Sequence, residues 1–333
     1  MKKRTYQIIL LLLIIGIISI RLFYQKPNLY RKVDYLLGTY VEVAIYQKPK
    51  RARILADSTF NLMRKYEKIL SSHIPNSEVY NINHSDRNSI KISSETSDLI
   101  RKSEEISKLT SGAFDITVGK ICNRCDFVEN FYPNQAEIKE LLPYVDYRKI
   151  RVSNDSLYKE SKGIEIDLGG IAKGYIIDKA IEFLRDEEID KGFINVGGDM
   201  FLLDNNNPDK WKIGIQHPRD KGEIFATISV NNKSVVTSGD YERYFIKDGM
   251  RYHHIINPKT GMPANDLVSV TVIADKACLA DALSTAVFVM GLENGLNLID
   301  SIPDIDAFII WEKNDKLNYK MSDGFDRYLI DVK

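Results

Sequence analysis

Asp281 and Thr285 stand four residues apart in "ACLADALSTAVFVMG". That spacing puts both side chains on one face of a helix. Their neighbours Leu279, Ala280, Ala282, Leu283, Ala286 and Val287 are small or apolar. An ionised Asp in such company needs a partner, because burying it unpaired costs several kcal/mol. A hard divalent cation bound by carboxylate, hydroxyl and backbone carbonyl oxygens would provide one. A structural arrangement, with Asp near a helix start and Thr bonded to its own backbone, fits the same residues.

A second stretch, "IDLGGIAKGYIIDKA" (166–180), ends an apolar run in Asp167 and follows it with Gly169, Gly170 and Lys173. It is neither a P-loop nor GxGxxG. Two glycines before a helix start leave free N–H groups that favour an anion. Tight strand-to-helix packing, with Lys173 in solvent, is the plainer alternative. "NVGGDMF" reads as a tight turn closed by Asp199. In "RYHHIINPKTG", His253 and His254 would point to opposite faces of a strand, so only one can meet a site. Cys122 and Cys125 form "CNRC"; with no second pair a zinc site is incomplete, and they read as a surface pair. Cys278 reads as core.

These residues need a scaffold, and the chain is long enough to build one. It has 333 residues, 46 basic and 46 acidic, so the formal charge is zero. No basic excess marks it as a nucleic-acid binder. Lys2, Lys3 and Arg4 precede the apolar run "IILLLLIIGIISI" (8–20). This reads as an uncleaved membrane anchor or a secretory signal over 1–29. The positive-inside rule then places 30–333, taken as one domain, outside the cytoplasm.

Alternation in "YLLGTYVEVAIY" (35–46) predicts a strand. Helical spacing predicts helices over 51–71 and 95–110, with shorter ones in "AEIKELLPYV" and over 171–188. "SEVYNINHS" reads as a loop. The second half is rich in short strands, followed by a helix at "ACLADALSTAVFVMG". Helices and strands mix without βαβ alternation, which predicts an α+β fold of mixed sheets flanked by helices.

Taken in order, "LGTYVEV", "NSEVYNIN", "SGAFDITVG", "DLGGIAKGYIIDKA", "NVGGD", "TSGDYERYF", "YHHIINPKTG" and "ADALSTAVFVMG" resemble the FAD:protein FMN transferases, the ApbE family. The resemblance runs from about residue 35 to the C-terminus. It implies an enzyme that binds FAD with Mg2+, cleaves the pyrophosphate and releases AMP. FMN is joined by a phosphoester bond to a Thr or Ser hydroxyl of an acceptor flavoprotein, a subunit of a membrane electron-transfer complex. It implies a metal site of Gly170 (carbonyl), Asp281 and Thr285. It implies FAD contacts at Leu37, His73, Ala113, Phe114, Asp115, Asp167, Lys173 and Ile255. His254 would handle the acceptor proton, Arg243 would add charge, and His253 should be nearly silent to substitution. The implied location is the outer face of the bacterial inner membrane. A metal-dependent FAD hydrolase giving FMN and AMP, a flavin oxidoreductase, and an extracytoplasmic FAD-binding protein remain open alternatives.

Overall fold

A computed structural model describes residues 26–204 and 210–333. The apolar run at 8–20 lies outside the described residues. Among those described, no helix is long and apolar enough to cross a membrane.

The first half of the chain carries strands β1 (Asn28–Leu36), β2 (Thr39–Gln47), β3 (Ser89–Lys91), β4 (Ile150–Ser153), β5 (Ser156–Lys159), β6 (Lys191–Val196) and β7 (Asp199–Asp204). Its helices are α1 (Pro49–Leu70), α2 (Glu78–Asn83), α3 (Ser94–Leu109), α4 (Gly119–Cys122), α5 (Gln135–Leu141) and α6 (Ala172–Asp186). The second half adds β8 (Trp211–Gln216), β9 (Ile224–Val230), β10 (Lys233–Gly239), β11 (Tyr244–Lys247), β12 (Met250–His253) and β13 (Ser269–Ala274). Helices α7 (Ala277–Met290) and α8 (Leu292–Asp300) follow, then β14 (Asp306–Lys313), β15 (Lys316–Met321) and β16 (Leu329–Val332).

Eight strands form one sheet in the order β1-β2-β6-β7-β10-β13-β14-β15, every pair antiparallel. The fold is therefore α+β, as the mixed pattern predicts. One face carries the helices: Val41, Val43 and Ile45 of β2 pack with Phe60 and Met63 of α1 and Ile177 and Ile181 of α6. Val270 and Val272 of β13 pack with Leu283 and Val287 of α7. The opposite face carries a three-stranded sheet, β16-β9-β8, joined to it through Phe193, Phe225, Ile228, Ile273 and Phe308. Coverage on both faces explains why all six residues of β13 are buried and why that run does not alternate.

Two local readings are corrected, and a further hairpin is added. Residues 35–46 are not one strand but a hairpin, turning at Leu37 and Gly38 with φ of 57° and 73°. Two consecutive left-handed residues make the tight turn whose twist matches paired strands. "SEVYNINHS" is not a loop: Ser77 caps α2 by accepting the Tyr80 N–H at 3.1 Å. Residues 244–247 form β11, which pairs with β12 as a separate hairpin.

Candidate active site

The hairpin turn, the loop after α3, the start of α6, the end of β10 and the middle of α7 converge on one cleft of about 460 Å³. It is lined by Leu37, His73, Ala113, Phe114, Asp115, Asp167, Gly170, Lys173, His254, Ile255, Asp281 and Thr285. Every residue to which the resemblance gives a metal, FAD or proton role thus reaches one space. Asp199, Ser238, Glu242 and Arg243 line it as well.

Leu37 is held left-handed, a conformation that costs a branched-chain residue roughly 1–2 kcal/mol. Its N–H donates to Glu67 Oε1 at 2.7 Å, which fastens the turn to α1. On the opposite wall, Asp167 Oδ1 accepts the Gly169 N–H at 2.6 Å. That bend brings Gly170 against α7. A Cβ built on Gly170 would lie 3.2 Å from Thr285 Oγ1 and 3.3 Å from the Phe114 ring. The paired glycines therefore serve close approach of backbone to the Asp281–Thr285 face.

No side chain of its own caps α6, whose N-cap position is Ile171. The Gly174 N–H is instead taken by Asp281 Oδ2 at 3.0 Å. Lys173 is not a solvent lysine. Its ammonium is bonded to Asp199 Oδ2 and lies 3.8 Å from Asp281 Oδ1. Burial works against that charge, but the two carboxylates outweigh it and hold the Lys173 pKa above its usual value. Burial raises the Asp281 carboxyl to about 6, against the pull of Lys173.

The adjacent histidines separate as the strand geometry requires. His253 is fully buried. Its Nε2 donates to Ala264 O at 3.0 Å, its Nδ1 accepts the Ile255 N–H at 3.2 Å, and its ring packs on Phe288. These bonds give His253 a structural part: it holds the loop that carries Ile255. His254 faces the cleft. Its Nδ1 lies 3.4 Å from the Arg243 carbonyl, which can only accept, so Nε2 is left as the basic nitrogen. Burial, and then the Arg243 charge, lower its pKa to about 3.

Asp115 reaches the cleft, but its oxygens are engaged. Oδ1 accepts from Thr117 N at 2.8 Å and from Thr117 Oγ1 at 2.6 Å, and Oδ2 accepts from Tyr147 N at 2.8 Å. It shapes the loop that presents Ala113 and Phe114. Cys122 and Cys125 are free thiols that line the cleft, so they are not a bland surface pair. Cys278 is buried core.

Sequence reading left Asp199 as a turn residue. It is 3% exposed and is the anionic partner of Lys173. The signal was its place in "NVGGD", five residues with no local indication of which cation they face.

Among the described residues, no group of three or more His, Cys, Asp and Glu is clustered as a metal site. The residues present still suit a hard cation. Gly170, Asp281 and Thr285 offer carbonyl, carboxylate and hydroxyl oxygens in one cleft, and a Cβ built on Gly170 would stand only 3.2 Å from Thr285 Oγ1. An all-oxygen set of this kind matches Mg2+ rather than a softer metal.

An α+β scaffold with this cleft is a known architecture. The sequence pattern that defines the ApbE family matches residues 37–309, and the chain belongs to that family. Among its relatives, the FAD:protein FMN transferase of Klebsiella pneumoniae (strain 342) is 33% identical over 287 residues, covering 84% of this chain and 88% of that one. That of Treponema pallidum (strain Nichols) is 31% identical over 306 residues, covering 85% and 84%. The crystal structure of the ApbE protein from Thermotoga maritima superposes with a TM-score of 0.84 at 32% identity, covering 91% of this chain and all (100%) of that one. The flavin transferase ApbE from Vibrio cholerae gives 0.82 at 25% identity, covering 91% and 100%.

Proposed function

We propose that this chain moves the FMN moiety of FAD onto a Thr or Ser hydroxyl of an acceptor flavoprotein, through a phosphoester bond, with Mg2+ bound and AMP released. One observation carries the reading. A single cleft joins the oxygen set of Gly170, Asp281 and Thr285 to Lys173, Arg243 and His254. The names of the relatives, FAD:protein FMN transferase, support it.

Mg2+ would be held by Gly170, Asp281 and Thr285, and would neutralise charge on the pyrophosphate as the bridging bond breaks. Lys173 binds and orients the same anion, held in place by Asp199. Ala113 and Phe114 wall the flavin side, with Leu37, His73 and Ile255 packing around it. His254 Nε2 takes the proton of the acceptor hydroxyl. The Arg243 charge that weakens this imidazole is the charge a diphosphate neutralises, so substrate binding raises its proton affinity. The acceptor would be a subunit of a membrane electron-transfer complex on the extracytoplasmic side of the inner membrane. The basic, apolar start of the sequence supports that placement, with 1–29 as anchor or signal and 30–333 as the transferase domain.

The deciding experiment is incubation of the chain with FAD, Mg2+ and a candidate acceptor, followed by intact mass. Gain of one FMN moiety by the acceptor is expected. Free FMN and AMP with no adduct would identify a hydrolase; unchanged FAD would leave a binding protein or a flavin oxidoreductase. A reporter fused after residue 30 should be active only outside the cytoplasm.

A further inference from the structure

Lys173 faces two buried carboxylates and is bonded to only one. Asp199, the first residue of β7, holds its ammonium. Asp199 is itself fixed, since its Oδ1 accepts the Thr237 N–H of β10 at 3.2 Å. Asp281 is the neglected partner. Its Oδ2 is spent on Gly174 N–H, and its Oδ1 stands 3.8 Å from the ammonium, beyond hydrogen-bond reach. A lysine side chain is long and flexible enough to close that gap. Two strands of the sheet prevent it by anchoring the competing carboxylate.

We infer that Asp199 is a positioning residue for the cation: it retains Lys173 and so keeps Asp281 Oδ1 open to a hard divalent ion. The inference rests on the metal reading of Gly170, Asp281 and Thr285 given above. Without the Asp199 charge, the ammonium would move onto Asp281. The local balance of two carboxylates and one ammonium would become one of each, and the remaining pair would be closed. Removing the ammonium as well restores a net negative charge and reopens Asp281. Arg243 and Glu242, the other charges facing this group, are unchanged throughout.

The test is Mn2+ binding, followed by the loss of its free-ion electron paramagnetic resonance signal, with the FAD-free chain. Asp199→Asn keeps an oxygen for the Thr237 N–H, so circular dichroism should match wild type. Its Mn2+ affinity should fall at least tenfold. The double variant Asp199→Asn, Lys173→Met should return to within about threefold of wild type, and Lys173→Met alone should bind at least as tightly. A fold defect at Asp199, or direct ligation by Asp199, would not be rescued by removing Lys173, so failure of rescue overturns the inference. Equal affinity of Asp199→Asn and wild type overturns it as well. If wild type itself binds no Mn2+, while the same titration with FAD present also shows none, the metal reading falls and this inference with it.

Discussion

Asp178 and Asp281 cap the starts of each other's helices. Asp178, on α6, accepts the N–H groups of Ala277 and Cys278 at 2.8 and 3.0 Å, at the opening of α7. Asp281, on α7, accepts the Gly174 N–H at the opening of α6. Neither helix has a side-chain cap of its own. A Cβ at Gly174 would come within 2.2 Å of Ala277 O, so the two starts are also in direct contact. The exchange fixes where the candidate metal carboxylate can stand.

Asp178→Ala should therefore cost about 1–2 kcal/mol, the range of a lost helix cap, read from urea denaturation. Asp178→Asn keeps one acceptor oxygen and should lose roughly half as much. An unchanged urea midpoint in both would show the exchange to be energetically idle.

Asp281→Asn isolates the charge from the cap, because the amide oxygen can still accept from Gly174. FMN transfer should fall by at least ~100-fold, on the order of losing one main electrostatic contributor, with the melting temperature nearly unchanged. Transfer at the wild-type rate would move the metal site elsewhere.

The two histidines should fail in different ways. His254→Asn should lower turnover by ~100- to 10,000-fold, the usual worth of a general base, in a stable chain. His253→Asn should instead lower stability by about 1–3 kcal/mol, because Ala264 O and Ile255 N–H lose a buried partner. Turnover and thermal melting of both variants check this. Equal losses of rate at equal stability would reverse the face assignment.

His254 also predicts a pH dependence of stability. Its pKa is depressed, to about 3, against an ordinary value near ~6.5. Between those values the unfolded chain binds the extra proton, so this contribution is present at neutral pH and lost as pH falls. Asp281 acts in the opposite sense, since its carboxyl is raised; comparison with His254→Asn cancels it. Wild type should lose more stability than the variant on going from about pH 7 to about pH 5, measured by urea titration at each pH. Parallel losses would mean that the imidazole titrates freely.

Periodicity made the large elements legible. The apolar face of 51–71 and the i, i+4 pair at Asp281 and Thr285 follow from local spacing, and local spacing is what a helix expresses. The turn at Leu37 was hidden because a leucine is a poor left-handed residue; only the distant Glu67 makes the position tenable. The six-residue helix after Ser77 was too short to show a period. In the site, ordered short runs marked most of the cleft wall. The pairing of Lys173 with Asp199, and the cross-capping by Asp178, join residues 26 and about 100 positions apart. No local pattern encodes such partners, because the sheet creates them.

The cleft wall begins at Leu37, in the first hairpin, and ends at Thr285, in the seventh helix. Contacts across such sequence distances form only after long loops have closed. A partly folded chain therefore offers a flavin nucleotide nothing to hold. A ligand that recognises the native state alone adds stability by mass action, about 2.7 kcal/mol at a hundredfold excess over its dissociation constant. For a chain that matures beyond the cytoplasm, as proposed above, the supply of FAD there would act as a folding reward, withheld until the seventh helix is in place.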